Sequence, residues 1–217
     1  MRKLNGVYSA VVIDNIDPDN LGRVKVRLPP IGAADRRGHE AWARLATLMA
    51  GQNRGTRFIP DVNDEVLVAF EASDVRRPYI IGSLWNVANV PPESMDSTNS
   101  KKLMRSRNGV KITLEDQTGQ ERFIVETPAG QKITLKDGPG SIEIIDSNGN
   151  SIKLETAGIT VNASAKVTIN ASKVEISSGI VTVDAGMTKF SGVVQCDTLI
   201  SNSVISASYT PGTGNIW

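Results

Sequence analysis

From Gly109 to about Val194 the chain repeats one short pattern, apolar residues at alternate positions with polar residues between them. V-K-I-T-L, F-I-V, K-I-T-L, I-E-I, I-K-L, I-T-V, V-T-I, V-E-I and V-T-V follow one another, each the period-2 signature of a strand with one buried face. The pairs are Ile112/Leu114, Phe123/Val125, Ile133/Leu135, Ile142/Ile144, Ile152/Leu154, Ile159/Val161, Val167/Ile169, Val174/Ile176 and Val181/Val183. Their first members stand 11, 10, 9, 10, 7, 8, 7 and 7 residues apart, so the repeat tightens towards the C-terminus. Short strands at near-fixed spacing predict a β-solenoid or β-helix.

Glycine, asparagine and aspartate fill the gaps between pairs, as corners that need positive φ require, and no proline occurs from Ser141 to Thr210 to interrupt a ladder. Each strand offers only about two inward side chains. A ladder this thin buries too little surface to offset its own ordering entropy. Several copies are therefore expected to wind together, and three make a closed prism without lateral edges. The expected trimer core is Ile133, Leu135, Ile142, Ile144, Ile152, Leu154, Ile159, Val161, Val167, Ile169, Val174, Ile176, Val181 and Val183. A monomeric solenoid is the alternative that the repeats alone leave open.

Upstream, the pattern predicts five strands: 6–13, 23–28, 41–47, 64–70 and 79–85. The second alternates cleanly, with Val24, Val26 and Leu28 inward and Arg23, Lys25 and Arg27 outward. Asp14 to Gly22 is turn-rich, with Pro18 placed to open a tight turn, and Ala33 to Glu40 is a polar loop. Five strands joined by unequal loops suggest a small OB-like Greek-key barrel.

D-P-D-N-L-G-R-V-K-V-R-L-P, W-A-R-L-A, G-T-R-F-I-P-D-V-N-D-E-V-L-V-A-F-E and R-R-P-Y-I-I-G-S-L-W-N occur in that order between residues 6 and 86. Together they resemble the OB domain of phage baseplate assembly protein V and of the related VgrG spike proteins. The chain departs from that family at two loops. Asn63-Asp64 stands where the family commonly has Gly-Asp, and Ala72-Ser73-Asp74 where it has a Gly-Asp loop. The resemblance implies an all-β protein: an N-terminal OB-fold barrel (1–89), a linker or neck (90–108), an intertwined triple-stranded β-helix needle (109–195) and a C-terminal tip (196–217), as a homotrimer. Some relatives insert a lysozyme domain or a large hub domain. Here some twenty residues join barrel and needle, so the short form is expected, with a separate hub protein at the OB end.

Composition narrows the chemistry. The 217 residues carry 24 basic and 23 acidic side chains. The first hundred hold twelve of each, which argues against a nucleic-acid groove. Trp42, Phe70 and Trp85 sit in alternating patterns suited to core or inter-subunit packing. Cys196 is the single cysteine, read as a small, partly buried residue, and His39 the single histidine, read as an ordinary surface residue in a barrel loop. Some of the short phage spikes that the chain resembles hold iron at an apex through His-x-His; that motif does not occur here, and no cofactor is expected. The acidic residues of the needle (Glu115, Glu126, Glu143, Glu155, Glu175) are spread along its length, so no catalytic carboxylate pair is expected. The basic run at Lys101–Arg107 reads as a solvated neck, with a partner-binding collar as the alternative.

The start lacks a signal-peptide run, so synthesis in the cytoplasm and assembly into a tail or injection particle are expected. The resemblance implies a structural, non-enzymatic central spike of a contractile baseplate. It would make transient contact with the target membrane or envelope and end at a separate PAAR-type tip protein docked on Tyr209, Ile216 and Trp217. A trimeric fibre or adhesin stalk and a carbohydrate-binding tail protein are the other classes.

Overall fold

The computed structural model of the protein describes residues 5–30 and 38–207. The chain divides into two units after Lys166. In the first unit, β1 (Val7–Asp14), β2 (Val24–Leu28) and β3 (His39–Leu45) are followed by a small hairpin, β4 (Ala50–Gly51) and β5 (Arg54–Gly55). Then come β6 (Glu65–Phe70) and β7 (Pro78–Leu84). Five of these close a barrel in the order β1-β2-β3-β7-β6, antiparallel throughout except for β3 against β7.

All five predicted barrel strands are present within about two residues at each end. Alternation explains the core: Ala10 and Val12, Val24, Val26 and Leu28, Ala43, Val66 and Val68, and Ile80 are at most 2% exposed. Each larger apolar side chain so buried contributes on the order of 1.5–3 kcal/mol relative to exposure. Phe70 packs on this core beside Tyr8, their rings edge to face at 5.7 Å. Trp42 lies on the outer wall with the Arg23 guanidinium over its ring, whereas Trp85 stays open.

Asp17 organises the turn between β1 and β2. Its carboxylate accepts hydrogen bonds from the backbone N–H of Asp19 (3.1 Å), Leu21 (2.9 Å) and Arg23 (3.0 Å), and from the Arg23 side chain at 2.7 Å. Those donors, Arg23's side chain first, hold the Asp17 carboxyl well below its ordinary range. The two loops that depart from the family pattern carry unusual backbone. Asn63 has φ 78°, and Ala72 and Ser73, in a single 3-10 turn, have φ 49° and 64°. Asparagine tolerates that region, but alanine there costs about 1–2 kcal/mol.

His39 departs from its expected place in a surface loop. It opens β3 opposite Leu28 and is half-buried, its Nε2 enclosed without a partner. Pairing with β2 carries β3 two residues further back than the polar character of His39-Glu40 indicated.

Beyond the barrel runs a seven-stranded antiparallel meander, each strand five residues long and paired with the next. It comprises β8 (Lys101–Arg105), β9 (Lys111–Glu115), β10 (Arg122–Glu126), β11 (Lys132–Lys136), β12 (Ser141–Ile145), β13 (Ser151–Glu155) and β14 (Gly158–Asn162). β8 lies inside the stretch read as a neck.

In the second unit the described residues, 167–207, form no strand within the single chain, and their side chains are exposed. The pairs Val167/Ile169, Val174/Ile176 and Val181/Val183 thus find no intrachain partner. Cys196 is exposed, not partly buried. No helix among the described residues is long and apolar enough to cross a membrane.

Candidate assembly interface

Register turns the alternating pattern into two continuous rows. One runs Met104–Ile112–Val125–Ile133–Ile144–Ile152–Val161 and the other Lys102–Leu114–Phe123–Leu135–Ile142–Leu154–Ile159. These are positions 2 and 4 of every strand, so all fourteen side chains share one face, and thirteen are apolar. From β9 to β13 most remain open: Leu114 is 45% exposed, Phe123 40%, Ile133 40% and Ile142 42%. Exposure rises on the last strand to 72% for Ile159. A shallow groove follows the second row over Leu114, Phe123, Leu135, Ile142 and Leu154. Each half-open Ile or Leu leaves about 1 kcal/mol of burial unrealised in the single chain. A contiguous apolar face of this extent on one chain marks an interaction surface.

The opposite face is the better covered one, although it is the more polar. Positions 1, 3 and 5 place Thr113 (3% exposed) and Ile124 (9%) there, among charged neighbours. Glu93, from the segment between barrel and sheet, pairs with Lys101 (3.5 Å) and Lys111 (3.4 Å), and Lys111 with Glu126 (2.8 Å). The Glu126 carboxylate raises the Lys111 pKa, and Lys111 in turn lowers that of Glu126. Lower on the sheet, Lys153 stands opposite Glu143 and pairs with Glu155 at 2.6 Å, which raises its pKa. One face is thus laced by ion pairs of its own chain, although Thr113 Oγ1 and Arg122 Nε are enclosed there without a hydrogen-bond partner. The other stays apolar and open.

Eight of the expected core residues come together on the open face: Ile133, Leu135, Ile142, Ile144, Ile152, Leu154, Ile159 and Val161. The remaining six, from Val167 to Val183, are not joined to any sheet within one chain. Tyr209, Ile216 and Trp217 lie outside the described residues. Met104 and Lys102 extend the rows by one strand that sequence reasoning missed. No alternation marks it: Leu103 and Met104 are adjacent apolar residues between Lys102 and Arg105, so the stretch reads as a solvated neck. Among the described residues no cluster of His, Cys, Asp and Glu could hold a metal ion.

Residues 8–85 match the type VI secretion system/phage-baseplate injector OB domain, and residues 122–182 the phage baseplate V C-terminal trimerisation domain. The second match covers β10 to β14 and continues into the unpaired segment. The chain is 28% identical over 147 residues to the type VI secretion system spike protein VgrG1b of Pseudomonas aeruginosa, covering 62% of this chain and 20% of the relative. With the spike protein VgrG3 of Vibrio cholerae the identity is 30% over 133 residues, or 57% of this chain and 13% of the relative. VgrG1a of Pseudomonas aeruginosa is 28% identical over 141 residues, 59% and 22% respectively. The chain thus spans about a fifth or less of the length of these curated relatives.

Proposed function

The chain belongs to the family of phage baseplate V and type VI injector proteins, and on that premise we propose that it is the structural central spike of a contractile tail or injection-system baseplate. The observation that carries this function is the meander behind an injector OB barrel, whose two apolar rows stay open in one chain within a matched trimerisation domain. Three copies bring three such faces to a common axis, burying the rows that a single chain leaves in water. The outer faces, which carry ion pairs of their own chain, become the flank of the needle.

After Asn162 the same alternating pattern continues without intrachain partners, so those strands pair between chains in an intertwined triple-stranded helix. Axial load then falls on many hydrogen bonds at once, and the wound chains separate only by unwinding. Resistance of that kind is kinetic as much as thermodynamic. No bond-making step is assigned to the chain.

In this role residues 1–89 seat on a hub protein at the barrel end, and 90–108 lead into the needle at 109–195. Residues 196–217, with Tyr209, Ile216 and Trp217, present a base for a PAAR-type tip protein. The assembled trimer works in the baseplate and meets the target envelope transiently on contraction. Imaging particles with and without the chain tests this. Particles lacking it should lose the axial density beneath the tube, and unchanged axial density would contradict the role.

A further inference from the structure

Two projections on the barrel carry exposed apolar side chains and opposite charge. One is the turn between β1 and β2, where Ile16 is 80% exposed and Leu21 72%. Residues 14–22 hold Asp14, Asp17 and Asp19 and no base. Asp17 and Asp19 share the one guanidinium of Arg23, and Asp14 accepts only from the backbone N–H of Ile16. The other projection is the β4–β5 hairpin with its flanks, where Leu48 is 96% exposed and Phe58 72%. Residues 41–60 hold Arg44, Arg54 and Arg57 and no acid. Arg44 lies over the Tyr79 ring, and the next acid along the chain, Asp61, pairs with Arg107. Among the described residues Arg54 and Arg57 are thus left without an ion pair.

Both projections rise from the same end of the barrel. Val11 of β1 stands opposite Glu65, and Glu65 opposite Leu84, the end from which the chain leaves for the sheet. The acidic turn begins just beyond Val11. β3 runs parallel to β7 towards that end, and the connection carrying the hairpin returns there, where Asp64 accepts from the N–H of Val12. Hydrogen bonds fix both shapes. The Asn15 side chain donates to the Pro60 carbonyl at 3.1 Å. Thr47 Oγ1 donates to the Thr56 carbonyl at 2.7 Å, and Thr56 N–H to that of Met49 at 3.0 Å. A shallow groove along the hairpin is lined with Thr47, Met49, Arg54 and Arg57.

A threefold ring joins each copy to the next through two different patches, which must complement one another. The barrel presents such a pair. Its turn sets three carboxylates against one guanidinium, and its hairpin two guanidinium groups against no carboxylate. We infer that the β1–β2 turn of one copy docks on the β4–β5 hairpin of the next. Ile16 and Leu21 pack on Leu48 and Phe58, while Asp14 and Asp19 face Arg54 and Arg57. Turn against turn, or hairpin against hairpin, would oppose like charges. The inference rests on the trimeric reading above and carries the subunit contact to the barrels, outside the residues matched to the trimerisation domain.

The test uses the full chain with Cys196→Ser, so that introduced thiols stand alone. Ile16→Cys and Leu48→Cys chains are co-expressed under different tags, the native mass is measured by light scattering, and a short bismaleimide is added. In a sample of trimer mass, cross-links should join the Ile16→Cys chain to the Leu48→Cys chain, and neither variant alone should cross-link. Like-with-like links, or none in a confirmed trimer, overturn the docking and leave the trimer standing. If Leu48→Cys reacts freely with a maleimide in the trimer and is shielded only in assembled particles, another baseplate protein covers the hairpin and the docking falls. A monomer mass overturns docking and trimer together. Arg54→Glu with Arg57→Glu should slow the cross-link roughly tenfold, and adding Asp14→Lys with Asp19→Lys should restore it. A rate that the first pair leaves unchanged, or that the second pair fails to restore, also counts against the docking.

Discussion

Ile152 lies directly opposite Ile144 across the β12–β13 ladder, and the two are 41% and 44% exposed on the same face. Lys153, the next residue, points to the other side and is neutralised there by Glu155. This contrast separates an assembly face from a solvent face within two consecutive residues. Ile152→Asp would set three carboxylates on the axis, each at a desolvation penalty of several kcal/mol, and should abolish the trimer. Lys153→Gln should leave its mass unchanged. If the two variants gave the same mass, the assignment of faces would be wrong.

Backbone amides offer a second test beyond Asn162. Residues 167–184 have no strand partner in one chain, so as a monomer they should exchange with deuterium in seconds or less. In the assembled protein they should be protected to a degree comparable with β10 to β13. Fast exchange across this segment in a sample of trimer mass would rule out interchain pairing there.

The barrel should be sensitive to acid through its turn carboxylates. Asp17 is held well below its ordinary value of 3.8 by Arg23, and Asp74 is lowered to about 2, chiefly by the Arg76 side chain. Both folded values lie below the unfolded ones. The stability they confer is therefore fully present above about pH 4 and lost as pH falls through the folded values. The barrel's melting temperature should drop between pH 5 and pH 2. Asp17→Asn should lower it at neutral pH and flatten that drop. An equally steep drop in the variant would mean that other groups carry the effect.

Ala72 supplies a stabilising variant. Glycine would relieve about 1–2 kcal/mol of left-handed strain and add roughly 0.5–1 kcal/mol of backbone entropy to be lost on folding. The net gain for Ala72→Gly is about 0.5–1 kcal/mol, read as a rise of a few degrees in the barrel's thermal midpoint. A fall would show that Ala72 is not strained in the folded protein.

Alternation made most of this architecture legible. Val24, Val26 and Leu28 announced their inward phase, and the pairs from Ile112 to Val161 announced two rows. What the pattern could not state was who pairs with whom. Ile152/Leu154 and Val174/Ile176 look alike as sequence. Yet the first pair sits in a ladder between β12 and β14, and the second finds no partner in its own chain. Spacing alone does not separate them, since Ile159 follows Ile152 by seven residues and still pairs within the chain. β8 escaped because its strand character comes from pairing with β9, while its composition is basic. Likewise His39 was drawn into a strand by Leu28, and nothing in the Met49–Gly55 stretch marked the β4–β5 hairpin beyond its two glycines.

The central claim is that an open apolar face in one chain is closed by two others. Light scattering of the purified full chain at micromolar concentration measures this without further assumption. The mass should be three times 23.3 kDa and should persist on dilution and in mild detergent. A mass of 23.3 kDa would contradict the trimer and the spike built on it.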